Sequence, residues 1–240
     1  MQKELVKIVE DYRNDLLETY GEKLISCYLY GSAVTSAYVP GVSDLNFLIV
    51  LRVVNINDLK VYSKIFRKWQ RKKVSPPIIV TPEYIYNSLD VFPLEFSEIK
   101  ENHLLVYGED IIKKVEIPPE NLRLQVESEL KGKLLKFRQG MIFLSNDTSE
   151  YREFFLRIVG TFVPVFRGVL RLFGEKPPFE FVEIADRLSR LTGFDRKILN
   201  KAWEIKRGAP VSHDDIRNLL FDFHEEIEKL TGLVDGLKVK

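Results

Sequence analysis

The chain has 240 residues, 45% hydrophobic and 30% charged, enough for one large core or two ordinary ones and unlike either a disordered tail or a membrane bundle. A formal net charge of +1 excludes a long-range field that would gather nucleic acid or an anionic bilayer. The single cysteine, Cys27, cannot close an internal disulfide and lies in an apolar run, which fits a cytoplasmic, reducing setting and a buried structural thiol.

Residues 3–20 place Leu5, Ile8, Val9, Tyr12 and Leu16 at helical spacing, with Gly21 ending the run and no signal-peptide core ahead of it. "LISCYLYG" and "DLNFLIVL" read as strands joined by a Gly-Ser turn and a short connection. A helix is predicted from about Asn57 to Lys73, then "PPIIV" as a short strand and a helix start at Pro82. "PLEFSEIK" reads as a further strand and "HLLVYG" as an extended piece. The first part, 1–117, is thus expected to be an α/β (α+β) domain with a small mixed sheet.

After "EIPPEN" the pattern is helical only, at roughly 121–145, 149–173, 179–192, 196–207 and 212–230. The separators carry Gly, Pro or Asp/Ser/Thr capping residues, and the Pro118-Pro119 pair marks where this all-α helical bundle, 118–240, begins. Its most apolar stretch, "FFLRIVGTFVPVFRGVLRLFG", has the length of a membrane span. Arg157, Arg167 and Arg171 are too costly in hydrocarbon, and Pro164 sits in its middle, so it is expected to be a kinked bundle helix.

The chemistry concentrates in "LYGSAVTSAYVPGVSDLNFLIVL". Side chains two apart on a strand share a face, so Asp44 and Asn46 are expected to stand together, with Leu45, Phe47, Ile49 and Leu51 opposite. Two carboxylates so placed can hold a pair of magnesium ions against a triphosphate. Gly31 allows close backbone approach, and Ser32 offers a hydroxyl and an N–H to a phosphate.

The combination of "LYGS", eleven residues and "SDLN" before "FLIVL" resembles the nucleotidyltransferase superfamily, whose signature is Gly-Ser or Gly-Gly followed by Asp-x-Asp/Glu. The order of an α/β domain and a helical bundle resembles the kanamycin-type members. The resemblance implies a nucleoside triphosphate bound through Gly31, Ser32 and Mg2+ in a cleft between the domains. It makes Asp44 the first metal ligand and places Asn46 where the second acid belongs. An amide oxygen can ligate magnesium but brings no charge, so metal binding is expected to be weak. The family's third carboxylate, the base for the incoming hydroxyl, comes from a later strand. Glu95 and Glu98 of "PLEFSEIK" are the candidates, on opposite strand faces, with Glu98 preferred.

The implied reaction is transfer of a nucleotidyl group to a hydroxyl of a small molecule or protein. The alternative is a catalytically silent nucleotide-binding or regulatory module that docks a partner. A homodimer is left open; nucleic acid and membrane are not expected partners.

Two further features compete with structural explanations. "KIFRKWQRKK" lines Lys64, Arg67, Lys68 and Arg71 along one helix side, either a phosphate surface or a solvated face over inward Ile65, Phe66 and Trp69. Arg217 and His224, seven apart on a predicted helix, resemble the motif of the HEPN family of helical RNases, or are an ordinary polar face. The histidines are scattered without metal-ligand spacing, and no Gly-x4-Gly-Lys or Gly-x-Gly-x-x-Gly run occurs.

Overall fold

The structure, a computed structural model, describes residues 3–35, 37–145 and 147–239. Ser36, in the connection after the Gly-Ser turn, and Asn146, in the separator before the second bundle helix, lie outside the described residues. The chain divides into two compact units, Met1–Ile117 and Pro118–Lys240.

In the first unit, α1 (Lys3–Tyr20) leads into β1 (Leu24–Tyr30) and a 3-10 turn, Gly31–Val34. Then come β2 (Asn46–Leu51), α2 (Ile56–Gln70), β3 (Ile78–Val80), α3 (Pro82–Asn87), α4 (Pro93–Glu101) and β4 (His103–Gly108). The four strands form one mixed sheet in the order β3-β2-β1-β4, with β2 antiparallel to β1, β1 antiparallel to β4, and β3 parallel to β2. A parallel neighbour requires a crossover, and α2 supplies it.

Both sheet faces are covered, which is why β1 and β2 read as nearly unbroken apolar runs. Cys27, Leu29, Phe47, Ile49 and Leu51 pack with Leu5, Val9, Tyr12 and Leu16 of α1 and Tyr62 and Trp69 of α2. On the other face Tyr28, Leu48 and Val50 meet Val80, Ile85, Phe96 and Ile99. Cys27 is fully buried, and that burial pushes its thiol well above the ordinary range, so the residue is packing rather than a nucleophile. The start of α2 is fixed by a capping box: Asn55 accepts from the N–H groups of Asn57 and Asp58, and Asp58 accepts from that of Asn55.

One element differs in kind from its expectation. "PLEFSEIK" is not a strand but α4, opened by Pro93 in its first turn, with Pro93, Phe96, Ser97 and Ile99 buried. Pro lacks an N–H and fits a first helical turn without loss.

The second unit is helical throughout its described elements: α5 (Pro119–Ile142), α6 (Thr148–Leu172), α7 (Phe181–Thr192), α8 (Arg196–Lys206) and α9 (His213–Asp235). Helix α6 packs against the other four and buries Phe154, Phe155, Phe162 and Phe166. Gly140 of α5 lets Phe154 approach, since a Cβ there would sit 2.3 Å from the ring. Arg167, inside α6, is buried as well; its guanidinium donates to the Pro178 carbonyl and lies 4.1 Å over the Phe179 ring. No helix among the described residues is long and apolar enough to cross a membrane.

Candidate functional site

The topology brings four chain segments to one end of the sheet: the end of β1, the start of β2, the approach to β3 and the start of β4. Adjacent strands lie about 4.8 Å apart, so these segments form a continuous rim.

At its centre is the Gly-Ser turn. Gly31 has φ +79°, which favours glycine, and its N–H donates to the Asn102 carbonyl at 3.1 Å. Ser32 is the second residue of the 3-10 turn, and its carbonyl accepts from the Thr35 N–H at 3.0 Å and the Thr35 hydroxyl at 2.9 Å. The half-buried Ser32 hydroxyl has no protein partner among the described residues. Asn46 is in register with Tyr30 and closes over the turn, its Nδ2 lying 3.4 Å from where a Gly31 Cβ would be.

Asp44 needs a correction. β2 begins at Asn46, and Asp44 precedes it in an exposed stretch, so the two do not project from one strand as the alternating pattern suggested. Between them Leu45 is buried and pinned to the next segment: its N–H donates to the Lys73 carbonyl at 2.8 Å, and its carbonyl accepts from the Ser75 N–H at 3.0 Å. Pairing to the approach of β3 thus extends to Leu45, one residue beyond the strand proper.

The third carboxylate also falls differently. Glu95 and Glu98 lie on α4, where a spacing of three puts them on one helix face rather than on opposite strand faces. Glu98 is half-buried in the last turn, and its carbonyl accepts from the Asn102 N–H at 3.1 Å, one link from the Gly31 turn; Glu95 is exposed. No described strand carries an Asp or Glu, and β2 is flanked at the rim by Ser75, Pro76 and Pro77 on one side and Gly31 on the other.

These residues do not fit a two-magnesium centre. Magnesium takes an octahedral set anchored by charged oxygens, whereas the strand ends supply one carboxylate, Asp44, and one amide, Asn46. Among the described residues no group of three or more His, Cys, Asp or Glu could hold a metal ion.

Sequence reasoning missed two contributors to the rim. Asn102, the C-cap of α4, ties Gly31 to the start of β4. Beside it His103 places Nδ1 2.9 Å from the Ile99 carbonyl and Nε2 3.3 Å from Asp110, anchoring the end of α4. The other is Lys73, in the left-handed region at φ +65°, whose carbonyl holds Leu45. The basic run ahead of it does pack inward through Trp69, whose ring N–H donates to Asp15 at 2.9 Å, while Lys68 pairs with the same carboxylate at 2.6 Å.

The HEPN-like pair has local partners. Arg138 donates to His224 Nε2 at 3.0 Å, Glu228 lies 3.6 Å from its Nδ1, and Arg217 is 3.7 Å from Asp214.

No family model and no curated protein matches the chain by sequence. Solved structures do match. Spectinomycin adenyltransferase AAD(9) from Enterococcus faecialis, solved with ATP and spectinomycin, superposes with a TM-score of 0.54 at 12% identity, over 94% of this chain and 98% of that one. A nucleotidyltransferase-like protein from Exiguobacterium sibiricum aligns over 93% of this chain and 76% of its own, at 13% identity and a TM-score of 0.44. The chain therefore shares the fold of the spectinomycin adenyltransferase. The likeness to the spectinomycin enzyme runs through both the α/β and the helical unit.

Proposed function

We propose that this protein is a cytoplasmic nucleotide-binding module of nucleotidyltransferase fold that holds a nucleoside triphosphate at the Gly31–Ser32 turn and has lost rapid nucleotidyl transfer. The observation that carries this reading is the donor inventory of the rim. A turn with a left-handed glycine and an unpartnered serine hydroxyl remains, but among the described residues Asp44 is the only carboxylate contributed where the end of β1 meets the start of β2. In-line displacement at phosphorus needs its developing charge neutralised and its nucleophile activated. One acid and one amide do neither well. Positioning a nucleotide asks less, because hydroxyl and backbone donors suffice.

A second reading, transfer to a hydroxyl on a small molecule or protein with Asp44 on Mg2+ and Glu98 as base, is favoured by the full-length likeness to an adenyltransferase solved with ATP and an acceptor. One experiment separates the two. The protein is incubated with labelled ATP, GTP, CTP or UTP and magnesium or manganese, and both nucleotide retention and pyrophosphate release are measured. Retention without release, with release gained in Asn46→Asp, supports the silent module. Steady release by the unaltered protein, abolished in Asp44→Ala, establishes the transferase instead. A lack of both retention and release defeats either reading.

A further inference from the structure

We propose that the basic turn Arg71–Lys73 supplies the positive charge that holds the nucleotide's phosphates, so that binding does not require a divalent cation. The proposal rests on the nucleotide-binding reading above and adds the source of charge.

The first observation is placement. The Leu45–Lys73 and Leu45–Ser75 hydrogen bonds, 2.8 and 3.0 Å, clamp the end of this turn onto the residue between Asp44 and Asn46. The turn is therefore part of the rim, one strand spacing from Asn46 and two, about 10 Å, from the Gly31 turn. A lysine or arginine stem of roughly 6 Å covers the first spacing, and a triphosphate seated on Gly31–Ser32 and extending over Asn46 covers the second.

Next comes the charge count. Arg71, Lys72 and Lys73 are exposed and, with Lys64 and Arg67, have no carboxylate partner among the described residues; of the run, only Lys68 is paired, to Asp15. Asp44, two residues ahead of β2, has no ion pair either among the described residues. An acid-rich rim would call for metal ions between itself and a triphosphate. Among the described residues the β2–β3 side of this rim carries three cations, Arg71, Lys72 and Lys73, against one acid, Asp44, and can face phosphates directly.

The third observation is conformational. Helix α2 ends in a Schellman arrangement: the Val74 N–H donates to the Trp69 carbonyl at 3.1 Å and the Lys73 N–H to that of Gln70 at 3.1 Å. The left-handed position of that motif usually holds glycine, and here it holds Lys73 at φ +65°. A lysine kept where glycine is less strained points to a use for its charge. Capping the negative end of the helix dipole would be served equally by Arg67 and Lys68 in the last turn.

The test is equilibrium binding of radiolabelled ATP by the full chain, in excess EDTA and in magnesium, for the unaltered protein and for Lys72→Gln/Lys73→Gly. Glycine at 73 keeps the backbone and relieves its strain, so folding is maintained, which thermal melting verifies. The expected result is comparable affinity with and without the metal, falling about tenfold in the double variant at an unchanged or higher Tm. Rising salt should weaken the unaltered protein more than the variant. Binding that appears only with magnesium, or a double variant that binds as tightly as its parent, overturns the proposal while leaving the nucleotide reading intact. Absence of binding under every condition removes the nucleotide reading itself.

Discussion

Gly31 and Gly108 have almost the same positive φ, +79° and +80°, at opposite ends of β1: Gly31 follows its last residue, Tyr30, and Gly108 pairs with Ser26 near its start. A Cβ on Gly108 would lie 1.8 Å from the Ile25 carbonyl oxygen, in collision with backbone. A Cβ on Gly31 would meet a single side-chain atom, Asn46 Nδ2, at an ordinary 3.4 Å. Gly108 is required because the protein packs against itself there. Gly31 is required by its dihedral angle, and otherwise leaves room for something else to approach. That difference locates the open end of the sheet.

Substitution separates the two ends. Gly108→Ala combines left-handed strain with a backbone collision, a loss of roughly 3–5 kcal/mol, a large part of the stability of an ordinary domain. Denaturant unfolding should show the α/β unit melting early or not folding. Gly31→Ala carries the strain alone, about 1–2 kcal/mol, and should remain folded while losing nucleotide binding. If both variants prove equally unstable, Gly31 is structural and the contrast is broken. The smallest change is Lys73→Gly at the same rim. Relief of left-handed strain is partly offset by the added freedom of the unfolded chain, for a net gain of about 0–1 kcal/mol. A destabilised Lys73→Gly protein would mean that the lysine side chain packs rather than waits for an anion.

Much of this fold is legible in the sequence because its periodicities are strong. The apolar residues of α1 recur at helical spacing, β1 and β2 are nearly continuous apolar runs, and α6, α8 and α9 of the bundle start at the capping residues Asp147, Asp195 and Ser212. The stretch that misleads is "PLEFSEIK". Leu94 and Phe96 alternate with charges as a strand would, while the buried set of Pro93, Phe96, Ser97 and Ile99 is helical, and over so short a run the two periods compete. Pro93 was the deciding signal.

The candidate site was legible only in part. Gly31 and Asn46 do meet, as the spacing of the motif suggests. Asp44 falls outside its strand because β2 begins at Asn46, and the local pattern cannot fix where pairing to a distant partner starts. Nor could the sequence place Lys73. Its left-handed conformation carries no glycine to mark it, and the contact that matters, with Leu45, is 28 residues away in the chain.

The central claim, that the sheet's open rim is the phosphate site, is tested most directly by titrating ATP into isotopically labelled protein and following backbone amide resonances. The account predicts shifts concentrated at 31–34, 44–46 and 71–75, present in EDTA as well as in magnesium. Shifts confined to other regions, with these three segments unmoved, would contradict it.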